Sequence, residues 1–291
     1  MNIIPTYQCN LRCKFCFNKD KWNDKKILDL DYLEQELYKH ELTDIVIIGG
    51  EPSILPEYYL KDLINICTTK LGKKPLLYTN LVNPFQFPDK VRLYVSYDPE
   101  DRKCQNIVLN NLINLDSDYE ICMLQTKNLL NNKTAADIVN LAERLRHNIH
   151  LETVDMSQEH LPDPNKLADF SLELAYQNST RIFSTCVDYI KFKSTKEPPS
   201  FEDFDNDISL MPNNEYQLSS SHGSYKYYAK TYEEAYKEYW KRHRKASVCQ
   251  SCKYTGNCLD IYRTENTCDY DYQLMEALKK KRDEYLRIIP V

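Results

Sequence analysis

Glycine is scarce in this chain, 5 of 291 residues where about 7% is usual. The one adjacent pair, Gly49–Gly50, is therefore worth close reading. No apolar run approaches the roughly 20 residues that span a bilayer. The first residues, Met-Asn-Ile-Ile-Pro-Thr-Tyr-Gln-Cys, lack the basic-then-apolar order of a secretory signal. The expectation is a cytoplasmic protein with no membrane partner. An excess of positive charge is also missing. Lys and Arg number 38 against 43 Asp and Glu, a formal net charge of −5, which argues against a dedicated nucleic-acid binder. There is no internal repeat.

What the chain does have is cysteine, 11 residues of it. In a reducing compartment, clustered cysteines are metal ligands or redox groups more often than structural disulfides. The length is enough for one large domain or two smaller ones.

The first part of the chain alternates strand and helix signals. Strands are predicted at Ile3–Thr6, Asp44–Ile48, Pro75–Thr79, Val91–Tyr97, Glu120–Gln125 and Ile149–Val154. Between them, Leu30, Leu33, Leu37 and Leu42 keep helical spacing. So do Leu60, Leu63, Ile64 and Cys67, and then Ile138, Leu141, Ala142 and Leu145. This alternation predicts an α/β fold with a parallel sheet and right-handed crossovers. Six units in this length suggest a partial (β/α)6 TIM-like barrel, since a full eight-unit barrel takes about 250 residues. After about residue 180 the texture changes. A loop is expected over Pro198–Pro199 and Phe201–Asp207, and a small hairpin from Met211–Leu218 and Ser224–Tyr228. A helix is expected from Thr231 to about Lys245, then a cysteine-dense stretch, then a charged helix from about Tyr272 to Arg287. The expected domains are residues 1–179, a barrel, and 180–291, a small α+β extension.

Cys9-Asn-Leu-Arg-Cys13-Lys-Phe15-Cys16 places three thiols on a loop after a short strand. Iron–sulfur cubanes are usually held by four thiolates, and the next cysteine is Cys67, in a helical pattern. Three ligands would leave one iron open, whereas zinc would need a fourth protein ligand. The CxxxCxxC spacing, with an aromatic before the last cysteine, resembles the radical S-adenosylmethionine (SAM) superfamily. A second motif resembles it too: the apolar strand Ile45–Ile48 runs into Gly49-Gly50-Glu51-Pro52, like the GGEP motif of that superfamily. Two glycines allow a close backbone approach, and the turn lies where barrel sites lie, at the C-terminal end of a strand.

The resemblance implies a [4Fe-4S] cluster on Cys9, Cys13 and Cys16 whose open iron binds SAM. One electron then cleaves SAM to methionine and a 5′-deoxyadenosyl radical, which abstracts a hydrogen from the substrate. It also implies that Phe15, Gly49, Gly50, Glu51 and Pro52 border the cofactor. Polar residues at later strand ends, Asn80 beside Thr79, Ser96, Asp98 and Gln125, would hold SAM or face the substrate, although ordinary turn chemistry explains each as well.

Cys249-x2-Cys252-x5-Cys258-x9-Cys268 supplies four more thiols, a full set for a second cubane or for a structural zinc. The spacing resembles the SPASM domain of radical SAM peptide maturases. It lacks the usual later cysteine, where Tyr262 stands, and Cys186 is the only cysteine between residues 123 and 248. A reduced SPASM/twitch-like domain with one auxiliary [4Fe-4S] cluster is implied, giving two clusters in all. Cys67 and Cys122 lie in apolar patterns and read as packing residues; Cys104 is unplaced. Cys186 has three readings: packing, a ligand replacing Cys268, or a catalytic hydrogen-atom donor as in peptide epimerases.

The implied function is maturation of a ribosomally synthesised precursor peptide, by carbon–carbon or thioether cross-linking or by epimerisation. With Cys9 so near the start, peptide recognition is expected from the extension, an edge strand or a separate recognition protein. The electron would come from a flavodoxin or ferredoxin. The alternatives are a small-molecule radical SAM dehydrogenase, a maturase acting on a side chain of a partner enzyme, and a noncatalytic iron–sulfur electron carrier. A SAM-binding glycine turn would be superfluous in the last.

Overall fold

The computed structural model describes residues 1–16, 18–153, 160–191, 208–219, 226–242 and 265–288. In chain order the elements are β1 (Asn2–Ile3), α1 (Leu30–Lys39), β2 (Val46–Ile47), α2 (Glu57–Leu71), β3 (Leu76–Thr79), β4 (Arg92–Ser96), α3 (Gln105–Ile113), β5 (Tyr119–Gln125), α4 (Lys127–Asn132), α5 (Ala135–Leu145) and β6 (Ile149–Thr153). Then follow α6 (Pro164–Gln177), β7 (Ile182–Phe183), α7 (Thr185–Lys191), β8 (Ile208–Leu210), β9 (Tyr216–Ser219), β10 (Lys226–Ala229), α8 (Tyr232–Arg242) and α9 (Glu265–Ile288). Two compact units result. The first is Met1–Ile121 with Asp203–Ser219 and Lys226–Tyr239; the second is Cys122–Glu202 with Ser220–Tyr225 and Trp240–Val291. The chain passes from one to the other within β5.

In the first unit β1 pairs in parallel with β2, β2 with β3 and β3 with β4. Each strand sends a buried apolar residue into the core: Ile3, Ile47, Leu77 and Val95. Leu33 and Leu37 of α1 and Leu60, Leu63, Ile64 and Cys67 of α2 form the buried faces that the spacing predicts. Asp29 caps α1 by accepting from the amides of Asp31 and Tyr32, which satisfies donors that have no partner in a first turn. Gly72, at φ 65°, ends α2.

The six-unit count needs correction at three places. β3 and β4 are joined by a 3₁₀ turn, Pro88–Lys90, and no helix forms between them. A seventh parallel strand exists, β7, with Ile149 opposite Ile182. An eighth, β8, adds in parallel to the other side of β1, with Asn2 opposite Ser209. β7 is only Ile182–Phe183 between polar residues, and β8 is interrupted by Ser209, so neither stands in an apolar run like those that mark β1 and β2. The hairpin after Met211 is present: β8 pairs antiparallel with β9, and β9 with β10. Residues 208–219 and 226–239 thus pack with the early strands rather than standing apart with the rest of 180–291. The expected loop at 198–207 lies outside the described residues.

In the second unit β6 and β7 pair, and α6 is buried along Leu167, Ala168, Leu174 and Ala175. Asp163 and Pro164 start α6, the carboxylate accepting from the amides of Asn165 and Lys166. α9 lies against α6 and α7. There Lys281 reaches Asp169 at 2.5 Å, and Tyr285 meets Tyr176 at 5.5 Å between ring centroids.

The hairpin is tied to α1 by a buried polar contact. Tyr216, fully buried, donates its hydroxyl to Glu36 Oε2 at 2.7 Å, and Lys39 Nζ meets Oε1 at 2.5 Å. Burial alone would raise the Glu36 carboxyl, but the bonds from Lys39 and Tyr216 outweigh it and hold the carboxyl below its ordinary value of 4.5. The group is therefore stabilising above that value, and the stabilisation is lost as pH falls through the depressed folded value. Tyr216→Phe should cost about 1.5–3 kcal/mol, the range for a hydrogen bond to a charged group. Glu36→Gln should flatten the acid limb of the stability curve. Denaturant melts of both variants between neutral and acid pH check this.

Candidate active site

The cysteine loop is closed at its base. Thr6 bridges antiparallel to Ile27, and the Leu28 amide donates to Pro5 O at 2.9 Å. Inside the closure the chain coils through short turns: Cys16 N to Cys13 O at 3.1 Å, Lys19 N to Cys16 O at 3.2 Å, Lys21 N to Asn18 O at 2.9 Å. Arg12 folds back and donates to Cys9 O at 2.6 Å and Leu11 O at 2.8 Å. Lys21 anchors the far side. Its ammonium donates to the Tyr7 hydroxyl at 3.2 Å and the Tyr228 hydroxyl at 3.0 Å, over both rings. Tyr7 in turn donates to Met211 Sδ at 3.0 Å. The β8–β10 segment thus helps hold the loop in place.

The glycine turn holds the loop from the other side. The ladder between β1 and β2 runs past the strand ends: Ile48 N donates to Ile3 O, Gly50 N to Thr6 O and Glu51 N to Gln8 O, at 2.8–2.9 Å. That approach has no room for a side chain. A Cβ on Gly50 would lie 2.0 Å from Gln8 O, and one on Gly49 2.6 Å from Ile4 Cγ2. Gly49 also sits at φ 136°, open to glycine alone. So the pair admits the chain's own residues 6–8, one residue short of Cys9, to backbone contact.

Glu51 is 1% exposed, and a buried carboxylate needs partners. It has three. Oε1 accepts from the Ser53 amide at 3.0 Å and from Thr79 Oγ1 at 2.7 Å; Oε2 accepts from the Asn80 amide at 2.7 Å. The carboxylate thereby locks the end of β2 to the end of β3 while Pro52 begins a 3₁₀ turn, Pro52–Ile54. Asn80 carries the link onward. Its Nδ2 donates to Asn10 Oδ1 at 2.8 Å and lies 3.7 Å from Cys9 Sγ. Cys9 Sγ also accepts from the Leu11 amide at 3.4 Å.

The three thiols influence one another and one cation. Burial pushes the Cys13 thiol up to about 11, with Arg102 acting against it and Cys16, Cys9 and Asp98 adding to it. Cys9 is raised by burial too, opposed by the Leu11 amide and by Arg102. Among the described residues no three His, Cys, Asp or Glu are grouped so as to hold a single metal ion. A cubane differs in that it spreads its ligands over separate irons. Three mutually interacting thiols with no carboxylate or imidazole among them are a donor set that fits such a cluster.

Arg102 has no motif of its own in the sequence. It follows Asp98 by four residues, in a turn where the amides of Asp101 and Arg102 donate to Asp98 O. Its Nε lies 2.5 Å from Asp98 Oδ2, and its guanidinium carbon sits 5.2 Å from the centre of the buried Phe15 ring. An acid and a base four apart were the available signal. Asp98, expected to border a cofactor, is thus ion-paired, while Ser96 ends β4 half-buried.

Gln125 and Cys186 belong to the second unit. Gln125 closes β5 fully buried, and neither its Nε2 nor its Oε1 has a hydrogen-bond partner among the described residues. Cys186 is fully buried in the first turn of α7. Cys67 and Cys122 are buried, as packing predicts, and Cys104 is exposed at the start of α3. Cys249, Cys252 and Cys258 lie outside the described residues; the backbone at Cys268 is in α9.

Parallel strands end at a loop of three cysteines that is locked to a Gly-Gly-Glu turn, the arrangement of an α/β protein with a site at its strand ends. The radical SAM superfamily model matches residues 3–157, and the chain belongs to that superfamily. The 7-carboxy-7-deazaguanine synthase of Hyperthermus butylicus is 34% identical over 97 residues, 32% of this chain and 40% of that protein. The S-adenosylmethionine-dependent nucleotide dehydratase of Flammeovirga pacifica is 34% identical over 94 residues, 27% of this chain and 31% of that protein. The chain thus spans less than half the length of these curated relatives. Among solved structures, native anSMEcpe with bound AdoMet superposes with a TM-score of 0.65 at 13% identity, and the same protein with AdoMet and the Kp18Cys peptide with 0.65 at 14%. Each comparison covers 99% of both chains.

Two substitutions test this local geometry. Gly50→Ala should cost at least about 2 kcal/mol, because the added methyl meets backbone that cannot give way. Gly72→Ala, with nothing within 4 Å but a φ of 65°, should cost about 1 kcal/mol. Equal costs in chemical denaturation would contradict the close approach. Gln125→Met should raise the stability of the ligand-free protein by about 1–2 kcal/mol, by removing an amide buried without partners.

Proposed function

We propose that this protein is a radical SAM enzyme that modifies a ribosomally made peptide. The observation that carries the SAM-dependent part is the interlock of Glu51 N with Gln8 O, with Gly50 too close to that carbonyl to carry a side chain. It joins the two motifs on which a SAM-bound [4Fe-4S] centre depends. On this reading Cys9, Cys13 and Cys16 hold the cluster, and the Gly49–Pro52 turn, with Ser96, lies along the cofactor. When bound, the pair supplies a 5′-deoxyadenosyl radical from one electron and SAM. The protein's own residues orient the loop: Asn80 holds the Asn10 side chain, Arg12 folds back onto the carbonyls of Cys9 and Leu11, and Phe15 and Leu11 are buried beneath it.

Two facts support a peptide substrate. The likeness to a structure holding both AdoMet and a peptide runs over nearly the whole chain. The spacing of the four cysteines at 249–268 resembles, with one cysteine fewer, that of the auxiliary-cluster domain of peptide maturases. A small-molecule substrate is the second reading, favoured by the names of the two curated relatives; their likeness covers at most a third of this chain.

Anaerobic reconstitution tests the proposal. About eight irons per chain are expected from two cubanes, with reductive cleavage of SAM. Cys9→Ala with Cys13→Ala and Cys16→Ala should leave about four irons and no cleavage. Cys252→Ala should keep SAM cleavage and lose product. Zinc in place of iron, or cleavage by the triple variant, would refute the reading. If Cys186 donates a hydrogen atom, turnover in deuterated water leaves one deuterium on an epimerised residue, and Cys186→Ala abolishes it. A product lighter by two hydrogens, made equally by Cys186→Ala, points to a cross-link.

A further inference from the structure

Among the described residues Arg102 brings a cation to the cysteine loop from another strand end, at Phe15, and nothing in the two motifs requires it. Its position is fixed three times over. The backbone turn puts its amide on Asp98 O at 3.0 Å. Its Nε meets the Asp98 carboxylate, itself 2% exposed. Its guanidinium carbon lies 5.2 Å from the ring centre of Phe15, which stands between Cys13 and Cys16 in the chain. Arg suits this placement because a planar, permanently charged fork can pair with a carboxylate and stack on a ring at once. The guanidinium is the end of the pair that meets the cysteine loop, at Phe15, while the Asp98 carboxylate meets Arg102 Nε.

We propose that Arg102 is a positioning residue that places a fixed, buried positive charge against the Cys9–Cys13–Cys16 centre and makes that centre easier to reduce. The inference rests on the cluster reading of those cysteines. One-electron reduction of a cubane by a low-potential donor adds one negative charge to it. Net charge close to a cluster is among the quantities that set its potential. Only 14% of the Arg102 side chain is exposed, so salt screens it little.

The experiment is a dithionite titration of the reconstituted protein, followed by electron paramagnetic resonance on the signal that changes when SAM is added. Arg102→Gln should move the midpoint to more negative potential. Asp98→Asn, which removes the offsetting carboxylate, should move it the opposite way. Arg102→Lys, which keeps the charge but loses the guanidinium fork, should stay closer to wild type than Arg102→Gln. The shifts should persist when salt is raised. An unchanged midpoint in Arg102→Gln overturns the proposal. So do shifts of the same sign in Arg102→Gln and Asp98→Asn, since they would report only a loosened loop. If the unaltered protein forms no SAM-responsive signal, the cluster reading itself has failed, a result visible before any variant is made.

Discussion

Much of the first unit depends on one backbone contact, the bond from Glu51 N to Gln8 O. It is made where two strand ends converge, and it exists only because residue 50 has no side chain. A parallel ladder normally ends where its strands end. Here it continues through a glycine pair into a loop, so the register that aligns β1 with β2 also sets where Cys9 stands. The precision of a sheet is thereby transferred to a segment without regular structure. This is the route by which a site on a loop can be held as firmly as one on a strand.

The remaining supports act on that placement from different directions. Glu51, buried and satisfied by three donors, fixes the end of β3 against the end of β2, and Asn80 passes the constraint to Asn10 and Cys9. Lys21, between Tyr7 and Tyr228, ties the loop's far side to β10. The Glu36–Tyr216 bond in turn keeps the β8–β10 segment on α1. Loss of the outer ties loosens the loop, whereas loss of the Gly50 approach displaces it.

The arrangement also separates two kinds of polar residue that look alike in sequence. Thr79, Asn80, Asp98 and Gln125 all follow or close strands. In the structure the first three are engaged by the protein itself, with Glu51, Asn10 and Arg102. Gln125 alone among them is buried with neither amide atom partnered among the described residues. Burial without a partner is costly, so it distinguishes a residue kept for some other purpose from one that completes a turn. No amino-acid pattern contains that information.

Some of this was legible in the chain. The alternation of short apolar runs with 3.6-residue periods gave the α/β class and six of the strands, because periodicity records which face of an element is buried. The superfamily was legible because a cluster ligand set and a close-approach turn each require particular residue types at fixed spacing. What the sequence could not contain was anything decided by neighbours distant in the chain. β7 and β8 are two and three residues long and become strands only because β6 and β1 offer open ladders. The glycines approach residues 4–8 most closely, and Arg102 meets Phe15 across 87 positions of chain. Residue types and spacings determine which chemistry is available. Where the charge, the carbonyl and the buried amide come to lie is fixed only when the strands pair, since hydrogen-bond register and packing distance are properties of two segments together and of neither alone.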